Sequence, residues 1–334
     1  MKKQGNNSNL VTIILVVLIL AAAVGAGVFF ATRNRNKTIT QNSQASEDVE
    51  TTETIDYRNI IYNGTEYEYN TNLNTLLFLG VDTRESAQTV KSPGFAGQSD
   101  CIIVLIMDTE TKKTKMLEIP RESMVAVDIY DSNGTLSTTE KAQITLQYGY
   151  GDGGSKSNWL MKNAVSELLY QIPIDECLAL NIDGITSITD ALGGVELTVP
   201  EDYTVIDPAF VQGSTITLNG AQAERYVRYR DTSVTGSNMD RMKRQNQFIP
   251  ALLSKAKTMT SGSADMYNTL YNAASPYMNT DLSADSLKSL ASYDLEDEPE
   301  IVPGEITAGA EHDEYLVNYD KLKELVIKLF YKEK

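Results

Sequence analysis

Histidine occurs once in the 334 residues, at His312. Zinc sites built on several histidines are therefore excluded, and a Ser-His-Asp triad would have to use that one residue. Cysteine is nearly as scarce: Cys101 and Cys177 each sit inside an apolar run, CIIVLIM and CLALNI, that reads as a buried strand. Two cysteines read as small core side chains, although an exported protein could oxidise them if their strands were neighbours. Positive charge is also in short supply. The chain has 29 Lys and Arg against 45 Asp and Glu, a formal net charge of −16, so nucleic acid is repelled except at a local basic patch. There is no internal repeat, and no second polar linker follows residue 56.

The longest absence is of charge itself. From Gln4 to Thr32 no residue is ionised, and Leu10–Ala31 is almost wholly apolar. As a helix rising about 1.5 Å per residue, that run covers roughly the 30 Å of a bilayer's hydrocarbon core. A cleaved signal peptide usually has an apolar region of only about 7–15 residues, so the length favours an anchor that stays. Lys2 and Lys3 on one side balance Arg33, Arg35 and Lys37 on the other, leaving the large acidic body to be placed outside the membrane. The chain thus divides into a short tail (1–9), a transmembrane helix (10–31), a flexible tether (32–66) that is polar in composition, and a folded catalytic domain (67–334).

In that domain Asn74–Gly80, Cys101–Met107 and Thr114–Ile119 read as buried strands, the last two joined by the short turn Asp108–Lys113 as an antiparallel hairpin. Helical periodicity marks Asn158–Gln171, Gly184–Leu192, Asn219–Tyr226, Asn238–Thr258, Ser283–Tyr293 and Tyr319–Tyr331, with further strands at Glu176–Ile182 and Val195–Val199. The expectation is an α/β fold: a single domain with a central mixed, partly antiparallel sheet flanked by helices, preceded by one transmembrane helix.

Antiparallel pairing of the first three strands brings Asp82, Asp100 and Arg121 to one edge of the sheet, beside a long Gly-, Ser- and Pro-containing connection, residues 83–100. Two carboxylates and an arginine suit a magnesium–phosphate site, and they also suit plain turn residues. Farther on, six basic side chains crowd into the 21 residues Arg225–Gln245 of this acidic chain. Arg228 and Arg230 share a face if the chain is extended there, and Arg241, Arg244 and Gln245 share a face of the next helix. Arginines near a helix N-terminus oppose its dipole unless an anion sits nearby. Phe248 and Leu252 continue the same face, suiting an amphiphile with a charged head, or simply the core. The glycines of Gly149–Ser157 lack the Gly-Lys-Ser/Thr of a phosphate loop and read as a helix lead-in.

Seven stretches, NTLLFLGVDTR, GQSD, IPRES, QITLQYGYG, DALGGVELTVP, LNGAQAERYVRYR and RMKRQNQF, together resemble the LytR-CpsA-Psr family of bacterial cell-envelope proteins, in its order and with similar spacing. The resemblance implies a membrane-anchored, extracytoplasmic phosphotransferase that moves a glycopolymer, such as a teichoic acid or capsule chain, from a polyprenyl-pyrophosphate carrier to a peptidoglycan sugar hydroxyl. It implies that Asp82 and Asp100 hold Mg2+ (or Mn2+) or position the attacking hydroxyl. Arg84, Arg121, Arg228, Arg230 and Arg241 then grip the pyrophosphate with Gln245 beside them, and Arg121 and Arg230 join the aspartates in the chemistry. The chain departs from the family where Gln143 replaces a common lysine and Asn238 a common aspartate; Lys141 and Asp240 lie close by, out of register. Two rival functions use the same sequence: a polyprenyl-pyrophosphate hydrolase, and a non-catalytic envelope binding or regulatory protein. No nucleic-acid partner is expected.

Overall fold

The computed structural model describes residues 57–334 except 85, 88–89, 232, 261–262, 283–289, 291, 296–298 and 310–311. The expected transmembrane helix at 10–31, and most of the helix expected at 283–293, lie outside the described residues; among those described, no helix is long and apolar enough to cross a membrane.

Pairing begins before the expected start at Tyr67. β1 (Asn59–Tyr62) and β2 (Thr65–Tyr69) form a hairpin, so the end of the segment expected to be tether is folded. Its anchor is aromatic: Tyr69 packs edge-on against both Tyr57 and Tyr331. The next three strands are β3 (Leu73–Val81), β4 (Ser99–Asp108) and β5 (Lys113–Glu118), antiparallel as expected. A second hairpin, β6 (Met124–Tyr130) with β7 (Leu136–Gln143), was not legible, because the exposed run LSTTEK in β7 carries no apolar alternation.

The chain continues through α1 (Leu146–Gly149), α2 (Ser155–Leu168), β8 (Glu176–Asn181) and α3 (Ile182–Ala191). After β9 (Val195–Thr198) and its partner β10 (Thr215–Leu218) come α4 (Gly220–Arg228), α5 (Ser237–Thr260) and α6 (Ala264–Ala274). Asn219 caps α4 with a reciprocal capping box through Gln222. The remainder is β11 (Met278–Thr280), β12 (Asp294–Leu295), β13 (Glu300–Ile301), the hairpin β14 (Gly304–Ala308) and β15 (Asp313–Val317), then α7 (Tyr319–Phe330) and β16 (Tyr331–Glu333).

The central sheet runs β11-β8-β3-β4-β5, with β12 and β13 pairing β5; β8 is parallel to β3, so the sheet is mixed. Its strands are apolar on both faces. Leu76, Ile103 and Leu105 pack with Ile188, Tyr226 and Phe248 on one side, while Leu77, Val104 and Cys177 pack with Met161, Val326 and Phe330 on the other. Cys101 belongs to the first face and Cys177 to the second, with β3 between their strands; both are free thiols.

Candidate active site

The site is assembled where β3, β4 and β5 end together. Asp82 follows β3, Asp100 is the second residue of β4, and Arg121 stands three residues beyond β5. Between Gly80 and Val81 the register slips: Gly80 faces Cys101 and Val81 faces Ser99, leaving Asp100 as the extra, unopposed residue of a bulge. Bulges re-aim a side chain, and here the one re-aimed is Asp100. Gly80 is required because a Cβ there would lie 2.9 Å from the Cys101 Cβ. The loop end Gln98 holds Asp82 from the side, its N–H donating to Asp82 Oδ1 at 2.7 Å.

Asp100 receives two guanidiniums. Arg121 Nη1 donates to its Oδ1, and Arg241 Nη1 donates to its Oδ2 at 2.8 Å. Arg121 also donates through Nη2 to Gln98 Oε1 at 2.5 Å. Asn238, one turn before Arg241 on α5, accepts from Arg241 Nε at 3.0 Å and Nη2 at 2.6 Å. Burial pushes the Arg241 guanidinium below its ordinary value, with Asp100 opposing; it stays charged because that value is so high.

Arg228 and Arg230 part company. The helix α4 persists through Arg228, so the chain is not yet extended there and the two side chains take different directions. Arg228 Nη1 donates to Glu224 Oε1 at 3.4 Å, a turn back on α4. Arg230 Nη1 donates to Glu122 Oε1 at 3.2 Å and its Nη2 to Asp313 Oδ2 at 3.0 Å. Arg84 also reaches Glu224, and donates to Asp183 Oδ1 at 3.0 Å. Arg244, expected on the face of Arg241, turns instead to the end of α4, where Nε donates to the Tyr226 carbonyl at 2.7 Å and Nη2 to that of Tyr229. It is a cap, not a site residue.

Beside this cluster a groove opens between the sheet and α5. Phe78, Leu178 and Leu180 wall it on the sheet side, and Phe248, Ile249 and Leu252 on the helix side. Asp82, Asp100, Arg228, Arg241 and Gln245 also line it; Arg84, Arg121 and Arg230 do not. Phe248 and Leu252 therefore answer to both sequence readings, being core residues that wall a groove. Gln245 Nε2 donates to the Val227 carbonyl at 3.1 Å, while its buried Oε1 has no protein donor.

Sequence reasoning missed the carboxylates that hold the arginines: Glu122, Asp183, Glu224 and Asp313. Glu122, adjacent to Arg121 in IPRES, and Glu224, four residues before Arg228 on one helix, gave local signals. Asp183 and Asp313 come from α3 and β15, and nothing in their spacing ties them to the site. Gln143, at the position where the family commonly has lysine, donates to the Asp313 carbonyl at 2.7 Å and so braces the strand that meets Arg230.

The profile of the LytR_cpsA_psr family matches residues 28–327. The chain belongs to that family. Biofilm regulatory protein A of Streptococcus mutans is 29% identical over 69% of this chain and 58% of its own length. The polyisoprenyl-teichoic acid–peptidoglycan teichoic acid transferase TagU of Halalkalibacterium halodurans is 28% identical over 65% of this chain and 64% of its own. This LytR_cpsA_psr chain thus spans about six-tenths of each of these relatives. The crystal structure of protein gbs0355 from Streptococcus agalactiae shares the fold with a TM-score of 0.61 at 24% identity, covering 77% of this chain and 88% of that one.

Proposed function

We propose that this LytR_cpsA_psr protein is a membrane-anchored, extracytoplasmic phosphotransferase. It moves a glycopolymer from a polyprenyl-pyrophosphate carrier to a peptidoglycan sugar hydroxyl, leaving a phosphodiester. The observation that carries this reading is the junction of an apolar groove with an arginine–carboxylate cluster, both served by α5 through Phe248, Leu252, Arg241 and Gln245. A hydrocarbon chain fits the groove and its phosphates fit the guanidiniums. The relatives named as polyisoprenyl-teichoic acid–peptidoglycan teichoic acid transferases support the donor and acceptor classes, and residues 10–31 supply the anchor.

Charge balance shapes the chemistry. Arg121, Arg230 and Arg241 face Asp100, Glu122 and Asp313, and Arg84 and Arg228 face Asp183 and Glu224. Each arginine group is matched by as many carboxylates, so a pyrophosphate must displace acids or arrive with a cation. Asp82 and Asp100 both line the groove, and among the described residues no cluster of three His, Cys, Asp or Glu side chains converges to form an all-protein cage. That fits Mg2+ or Mn2+, which usually takes one or two carboxylates and completes its shell with substrate phosphates and water. When bound, such an ion supplies neutralisation of the charge growing on the leaving phosphate.

The residues supply the rest. Arg121 and Arg241 stabilise the phosphoryl oxygens, and Arg84 and Arg228 exchange their shared Glu224 for phosphate. Arg230 reaches the same anion on leaving Asp313, with Glu122 still holding it. Gln245 Oε1 accepts a hydrogen bond from a ligand hydroxyl. The acceptor oxygen forms a bond to the sugar-linked phosphorus, the bridging P–O bond breaks, polyprenyl phosphate departs, and Asp82 takes the hydroxyl proton.

The test is the full chain in detergent, incubated with a lipid-pyrophosphate saccharide and a peptidoglycan oligosaccharide, with and without chelator. A joined product by mass, lost in chelator, is expected. Saccharide phosphate alone identifies a hydrolase, binding without turnover a regulatory module, and undiminished transfer in chelator removes the metal.

A further inference from the structure

One fully buried carboxylate touches neither the groove nor Asp100, yet three arginines of the site depend on it. Glu122 is 0% exposed. Its Oε1 accepts from Arg230 at 3.2 Å and lies 3.7 Å from Arg121 Nε, a buried donor with no hydrogen-bond partner of its own. Its Oε2 accepts from Asn238 Nδ2 at 2.6 Å, and Asn238 passes the contact on, its Oδ1 accepting twice from Arg241. The amide can face only one way in this chain of contacts, because its donor end must meet a carboxylate and its acceptor end a guanidinium.

We infer that Glu122 and Asn238 are the positioning pair of this site, holding Arg121, Arg230 and Arg241 preassembled for a phosphate that neither residue touches. The inference rests on the phosphotransferase reading for its consequence in turnover. Three guanidiniums gathered near one point repel, and a low-dielectric surrounding magnifies the repulsion. Glu122 supplies the compensating charge from behind, which leaves the groove side of Arg241 to Asp100 and the substrate. Burial raises the Glu122 carboxyl above its ordinary value while Arg121, Arg230 and Arg241 draw it back down. An aspartate at position 238 would set two carboxylates at hydrogen-bond distance, where they must share a proton.

The charged groups that face this pair are Arg121 beside Glu122, Arg230 from the loop after α4, and Arg241 from α5. Asp100 lies behind Arg121 and Arg241, and Asp313 of β15 lies behind Arg230. Asn238→Asp adds one acid to this balanced set. At low pH the shared proton preserves the contact; as pH rises from acid to alkaline its loss breaks it.

The experiment measures transfer by wild type, Glu122→Gln and Asn238→Asp across that pH range, and follows arginine Nε–H signals by NMR of the arginine-labelled full chain in detergent. Glu122→Gln should lower kcat about a hundredfold while KM for the lipid substrate moves less than about threefold. Asn238→Asp should lose activity relative to wild type progressively with rising pH. In the absence of substrate, the slowly exchanging Arg241 Nε–H, assigned by its loss in Arg241→Lys, should vanish in Glu122→Gln. If Glu122→Gln does not fold, Asn238→Asp carries the test. A wild-type pH profile in Asn238→Asp, or an unchanged Arg241 signal in folded Glu122→Gln, overturns the inference. An inactive wild type overturns the phosphotransferase reading instead, and the NMR result then judges the positioning pair on its own.

Discussion

Arg241 engages all three nitrogens of its guanidinium, Nη1 on Asp100 and Nε and Nη2 on Asn238, with N–H donors left over for a ligand. Lysine keeps the charge and loses the fork, so Arg241→Lys should lower transfer roughly ten- to a hundredfold, the cost of about 1.5–3 kcal/mol for a charge-assisted bond. Lys243, two residues on, is exposed and pairs at 2.9 Å with Asp240. Lys243→Ala should be nearly silent at the same ionic strength, and the reverse result would move the anion site elsewhere. Glu118 offers a different readout. Burial raises its carboxyl from 4.5 to about 7, against a weaker pull from the Asn246 amide that donates to it at 3.0 Å. Between those values the folded state binds more protons than the unfolded one, so stability falls as pH rises from about 4.5 to about 7 and levels off above. Glu118→Gln should make that slope shallower, Glu122 keeping its own smaller share, and gain on the order of 2–3 kcal/mol at pH 8. Urea unfolding at a series of pH values checks both, and a wild-type midpoint that does not fall over that interval refutes the assignment.

The bulge at the end of β3 and β4 is the element on which the carboxylates depend. It exists because Gly80 lets Cys101 approach and leaves Asp100 unopposed. Gly80→Ala should force the strands apart, costing about 1–3 kcal/mol of stability as other overpacked substitutions do. Activity should fall further than the folded fraction, since Asp100 and both of its arginines move together. Calorimetry paired with turnover, measured well below the unfolding temperature of the variant, separates the two losses; activity that merely tracks the folded fraction would show that the bulge has no part in aiming Asp100. The same logic places α4. Its C-terminal carbonyls are met by Arg244, whose guanidinium also lies 5.3 Å from the centre of the Tyr203 ring, so the helix end that carries Arg228 is pinned independently of any substrate.

Across the full molecule, the sheet separates its two thiols. Cys101 and Cys177 are buried on opposite faces, so oxidising surroundings cannot join them without unfolding. Alkylation in denaturant without reductant should label both, seen as two added groups by intact mass, and the unfolding temperature should be indifferent to dithiothreitol. A species that resists labelling until it is reduced would contradict this topology. The first and last described segments also meet across the fold: β16 pairs with β2, and Tyr331 donates its hydroxyl to the Tyr57 carbonyl at 2.7 Å.

The three apolar strands, their antiparallel order and the meeting of Asp82, Asp100 and Arg121 at one edge were all legible along the chain, because strand pairing through a short turn is a local matter of alternation and loop length. The basic stretch announced itself equally, as charge against an acidic background. What the chain order could not reveal is which acid faces which arginine. Glu122 meets Arg230 across 108 positions, Arg241 reaches Asp100 across 141, and Asp313 arrives from a hairpin near the C-terminus. A carboxylate's partner is set by where packed elements bring it, and burial then makes that partner obligatory, since an unpaired charge inside the fold is far costlier than one in water.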